Sequence, residues 1–103
     1  MKTAAAEDKQ SNMRLRATVH GIVQGVGFRY HMVTLAQELS LTGWVANRWN
    51  RTVETVAEGP RDTLRQFHSF LQKGPPAARV QRVDVDWQQA TGEFSRFTIR
   101  HER

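Results

Sequence analysis

The stretch from Gly21 to His31, GIVQGVGFRYH, puts three of the chain's seven glycines just ahead of an arginine. Glycine adopts backbone conformations closed to other residues and lets a ligand approach the main chain, so such a cluster marks a turn or a site. For an isolated G-x-G, a tight strand-to-helix connection is the commoner role. Here the segment is long for a mere turn, and it ends with Arg29 in the first turn of the helix that follows. Free N–H groups and the positive dipole end at a helix start favour an anion. Successive amides from Gln24 through Gly25, Val26, Gly27 and Phe28 to Arg29 can wrap a phosphate as a concave nest. A guanidinium at the same spot adds two parallel charge-assisted hydrogen bonds. On physical grounds alone this is a phosphate cradle.

It is neither of the commoner glycine-rich loops. The nucleotide P-loop ends in Gly-Lys-Ser/Thr, whereas this one ends Gly27-Phe28-Arg29, and the dinucleotide fingerprint needs glycine where Tyr30 stands. No Asp or Ser sits in the loop to hold magnesium. Phosphate chemistry here is therefore expected to run without metal, and nothing calls for another cofactor.

The elements that must position this loop follow from periodicity. In Met13 to His20 the apolar residues occupy every second position, a strand with one buried and one wet face. Phe28, Met32, Leu35, Ala36 and Leu39 fall at helical spacing, predicting an amphipathic helix over about 28–40. Gly43–Arg48 and Thr52–Glu58 read as two strands joined by a short turn at Asn50-Arg51. Gly59-Pro60 opens a second helix, with proline at its first position. Leu64, Phe67 and Leu71 line that helix, Phe70 broadens its apolar face, and Gly74-Pro75-Pro76 stops it. Val83, Val85 and Trp87 alternate in a further strand, Phe97 and Ile99 in a last short one. The order is β-α-β-β-α-β plus a C-terminal strand. Two helices cover only one face of a sheet, so the expected fold is an α+β, ferredoxin-like split βαβ sandwich with both helices on one face of an antiparallel sheet.

Length and composition set the frame. At 103 residues the chain makes one domain, expected over 13–103 behind a flexible N-terminal tail over 1–12. The 39% hydrophobic and 24% charged residues are the balance of a globular protein. No apolar run approaches a membrane span, the N-terminus lacks a signal-peptide core, and there is no cysteine. A cytoplasmic monomer with no membrane partner is the expectation. Of the fifteen cationic residues twelve are arginines, giving a net charge of +5 at pH 7. They are scattered, and the charge alone suits nucleic acid, small phosphorylated anions or a merely solvated surface.

At this point Val19-His-Gly-Ile-Val-Gln-Gly-Val-Gly-Phe-Arg29 resembles the first signature of the acylphosphatases at every characteristic position. Gly43-Trp44-Val45-Ala46-Asn47, followed by Val53 to Gly59, resembles the second. The resemblance extends from Arg14 to Arg100, including Gly74-Pro75 and Phe97-Thr98-Ile99. It implies an enzyme that hydrolyses the carboxyl–phosphate bond of acyl phosphates to a carboxylate and inorganic phosphate. It also implies that Arg29 binds the phosphate and that Asn47 positions the water. Read alone, Asn47 near a strand end is more often a turn former, and only the resemblance reverses that. The chemistry fits: an activated acyl phosphate needs positioning and charge stabilisation more than covalent catalysis.

Two rivals belong to other classes. An RNA-binding module uses the same scaffold but stacks bases on sheet aromatics, whereas the first strand here shows Arg14, Arg16, Thr18 and His20 outward. No nucleic-acid partner is therefore expected. A carbamoyl-phosphate-handling domain of a large hydrogenase-maturation carbamoyltransferase resembles the acylphosphatases in its loop. A chain of this length is expected to be the free-standing phosphatase instead. His20, His31, His68 and His101 show no metal-ligand spacing, and none receives a role. Asn50-Arg51-Thr52 fits a glycosylation sequon, but without a secretion signal it reads as a hairpin turn. One departure from the family pattern stands out: four residues after Asn47 the family has glycine, and this chain has Arg51. A primed two-residue turn there would put both Asn50 and Arg51 at positive φ.

Overall fold

The computed structural model describes residues 11–101. The expected tail falls outside these residues as far as position 10, and Asn12 already belongs to the first strand. The elements are β1 (Asn12–Ile22), α1 (Phe28–Glu38), β2 (Thr42–Asn47), β3 (Val53–Pro60), α2 (Arg61–Lys73), β4 (Arg79–Gln89) and β5 (Phe97–Arg100). They form one five-stranded sheet in the order β4-β1-β3-β2-β5. The first four strands pair antiparallel, as expected. The fifth does not: β5 runs parallel to β2, from Gly43↔Phe97 to Ala46↔Arg100. The reason is topological. The chain reverses after β4 and crosses to the opposite edge, where a reversed strand points the same way as β2.

Alternation along β1 works as the pattern predicts. Leu15, Ala17 and Val19 are buried under the helices, joined by Phe28, Met32 and Ala36 of α1 and by Leu64, Phe67 and Leu71 of α2. Phe97 closes this core against Phe67, ring edge to face at 5.7 Å. Proline enters α2 one residue earlier than predicted. Pro60 holds an extended ψ of 147° as the residue before the helix and still pairs with Asn12 across the sheet. Its missing N–H costs nothing at that position either. Gly74 ends α2, donating its N–H to Phe70 O at 2.6 Å.

The face away from the helices is covered in a way the alternation does not announce. Residues 90–96 run from β4 across this face, and Phe94 packs on a second buried cluster of Trp44, Ala46 and Val56. Arg14 and Glu58 pair beneath this crossing at 2.7 Å. The N–H groups of Thr91 and Gly92 donate to the same carboxylate, each at 3.0 Å. Burial pushes the Glu58 carboxyl up, but these donors outweigh it and hold the group below the usual carboxylate range. No helix among the described residues is long and apolar enough to cross a membrane.

Candidate active site

Val23 to Gly27 link β1 to α1, and the bend depends on two glycines. Gly25 and Gly27 have φ of 74° and 79°, in the left-handed region that side chains disfavour. A Cβ on Gly25 would meet nothing within 4 Å, so the conformation, not crowding, demands glycine there. Gly27 is the N-cap of α1; no side chain caps the helix, and no acidic residue lies in its first turn. Helix geometry leaves the N–H groups of Phe28, Arg29 and Tyr30 without intrahelical acceptors. The positive end of the helix is thus presented uncapped toward the loop's concave side.

Two side chains fix the loop. The Gln24 amide donates to Arg48 O at 2.8 Å and to Thr52 O at 2.9 Å, tying the loop to the hairpin between β2 and β3. His31 Nδ1 lies 2.9 Å from Gly27 O. A carbonyl only accepts, so this nitrogen carries the proton. The His31 ring also stacks on Phe70, centroids 6.5 Å apart and planes 19° apart. Sequence reasoning assigned neither task. Glutamine beside a glycine run reads equally as loop filler, and the His31–Phe70 contact depends on how α1 and α2 pack.

A cleft of about 340 Å³ opens beside the loop, and Gly25, Gly27, Phe28, Arg29 and Asn47 all line it. Of the residues the sequence nominated, Gln24 and Val26 do not. Gln24 turns to the hairpin carbonyls, and Val26 is half-buried against the core. Phe28 contributes mainly as an anchor, its ring in the core edge-on to Phe70 at 5.7 Å. Arg29 has no ion-pair partner among the described residues. Asn47 ends β2, and its Oδ1 is buried without a hydrogen-bond donor among those residues. A buried acceptor left unpaired costs about 1–3 kcal/mol, so this atom calls for a physical reason. Val23 lines it as a buried side chain, while Tyr30, Ile99 and His101 line it with exposed side chains and so form its rim. Among the described residues no carboxylate lines the cleft.

The hairpin beyond Asn47 differs from the expected two-residue turn. Arg51 N–H donates to Arg48 O and Arg48 N–H to Thr52 O, so Trp49-Asn50-Arg51 forms a three-residue loop. Only Arg51, at φ 72°, takes the left-handed conformation; Asn50 does not. Three-residue hairpin loops place one left-handed residue at the end of an ordinary turn, where glycine is preferred. Asn50 Oδ1 instead accepts from Thr52 N–H at 3.2 Å and from its hydroxyl at 2.6 Å, bracing the loop. Glu54, gripped by Arg16 and Arg48, anchors the base of the hairpin from the other face.

The chain resembles known proteins in both sequence and fold. The family model described as Acylphosphatase matches residues 15–99. The chain is 46% identical over 99 residues to an acylphosphatase of Arthrobacter sp. (strain FB24), covering 96% of this chain and 91% of that one. The crystal structure of acylphosphatase from Bacillus subtilis superposes with a TM-score of 0.81 at 38% identity, over 84% of this chain and 97% of the other. Full-length HypF in its phosphate- and nucleotide-bound form superposes with a TM-score of 0.79 at 26% identity, but only 12% of that longer chain is involved.

Proposed function

The chain belongs to the acylphosphatase family and is a hydrolase acting on acid anhydrides, and from that premise we propose that it cleaves acyl phosphates by metal-independent, in-line attack of one positioned water. The observation that carries the mechanism is the pairing, in one cleft, of an arginine and a buried asparagine oxygen that have, among the described residues, neither a counter-ion for the first nor a donor for the second. An anion satisfies the first, and a water satisfies the second.

The phosphoryl group sits in the β1–α1 loop, its oxygens held by the uncapped N–H groups and by the Arg29 guanidinium. These donors are preorganised, so they stabilise the transition-state charge without reorganising. Asn47 Oδ1 accepts a hydrogen bond from the attacking water and sets its approach. The water oxygen bonds to phosphorus while the bond from phosphorus to the carboxyl oxygen breaks. The electron pair leaves with the carboxylate, and the water's proton passes to a phosphoryl oxygen of the substrate. The guanidinium offers only donors and the Asn47 amide is not basic, so the substrate's own phosphoryl oxygen takes the proton.

The test is phosphate release from an aromatic acyl phosphate with chelator present, for the parent and for Arg29→Ala. The variant should lose at least about a hundredfold in turnover, the usual cost of one preorganised charge-stabilising donor. Inorganic phosphate should inhibit the parent and lose its grip on the variant. Near-normal turnover and inhibition in Arg29→Ala would overturn the cradle.

A further inference from the structure

Five large hydrophobic side chains are exposed among the described residues, and two of them, Tyr30 and Ile99, stand on the rim of the same cleft. Scattered surface hydrophobics need no explanation. These two come from different elements, however, and converge where the substrate must enter. Tyr30 directly follows Arg29 in the first turn of α1 and is 72% exposed. Ile99 lies in β5 beside Val45, two residues before Asn47 on the neighbouring strand, and is 39% exposed. His101 continues the same wall.

The cleft is therefore divided. Its inner part offers glycine amides, the Arg29 guanidinium and the Asn47 oxygen. Its outer part offers an aromatic ring, a branched aliphatic side chain and an imidazole. Resting on the reading above, we infer that the outer part is a subsite for the acyl group, and that Tyr30 and Ile99 select apolar, especially aromatic, acyl chains. A phosphoryl group held in the loop directs its carboxyl ester oxygen away from the amides and toward this rim. A planar acyl group passing there can lie between the two side chains and remove their exposed apolar surface from water. A small acyl group such as acetyl reaches neither wall fully.

The contrast between benzoyl phosphate and acetyl phosphate tests this. In the parent, kcat/KM should be higher for benzoyl phosphate. In Tyr30→Ala and Ile99→Ser the benzoyl-to-acetyl ratio should each fall about five- to tenfold, the size expected for losing one apolar wall. Inhibition by inorganic phosphate, which occupies only the inner part, should stay within about twofold of the parent. Trp87→Ala removes an exposed aromatic remote from the cleft and should leave the ratio as it is. If both rim variants keep the parental ratio while still releasing phosphate, the subsite is wrong and the hydrolase reading stands. If the parent releases phosphate from neither compound, the subsite falls together with that reading.

Discussion

Replacing Asn47 by alanine separates two quantities that a merely structural asparagine would keep together. Asn47 Oδ1 is buried without a donor among the described residues. On the proposed reading a cleft water supplies that donor, so alanine removes one water-mediated hydrogen bond and the modest packing of a half-buried side chain at a strand end. The net expectation is stability within about 0.5 kcal/mol of the parent. Turnover should fall instead. Loss of the group that orients the water should cost about a hundredfold, or near 3 kcal/mol of transition-state stabilisation. Inhibition by inorganic phosphate should persist, because the anion is held by the loop and Arg29. Paired denaturant melts, single-substrate kinetics and phosphate inhibition read all three. A turn-forming asparagine gives the opposite pattern: stability falls by more than about 1 kcal/mol and turnover survives. That result would refute the assignment of Asn47 to the water.

Gln24→Ala removes both hydrogen bonds from the loop to the hairpin and should cost about 1–2 kcal/mol of stability, while turnover and phosphate inhibition weaken together. Unaltered inhibition would show that the loop keeps its shape without the tie. Arg51→Gly relieves a left-handed residue worth about 1–2 kcal/mol, partly offset by glycine's freer unfolded chain, so denaturant melts should show a net gain of about 0.5–1 kcal/mol. A less stable glycine variant would mean that the arginine side chain stabilises the turn. Glu58 titrates below the ordinary carboxylate range when folded, so its contribution is present above that range and lost as pH falls through the folded value. Glu58→Gln should therefore be less stable than the parent at neutral pH, by about 1–3 kcal/mol, with the gap closing in acid; melts across the acid range would show whether it does.

How much of this could be read from the sequence depends on how local each determinant is. Alternation along β1 and the i, i+3, i+4 spacing of Met32, Leu35 and Ala36 are properties of one segment, and both elements form where the pattern places them. The convergence of Gly25, Gly27 and Arg29 on one cleft follows from a single loop feeding a single helix, so it too was legible. The departures all depend on what a distant segment does. β5 is parallel because the preceding crossing carries it to the far edge, and no feature of Phe97 to Arg100 records that destination. The hairpin is three residues long because Arg48 pairs with Thr52, a register set by the whole β2–β3 ladder rather than by Asn50-Arg51. Gln24 shows the same limit most clearly: its neighbours mark it as loop, yet its amide reaches carbonyls more than twenty residues away. Through that reach, the loop carrying Arg29 and the strand end carrying Asn47 are held in one frame. Relative placement of two such groups matters at the ångström level for positioned attack, so a residue that touches neither phosphate nor water is expected to govern both.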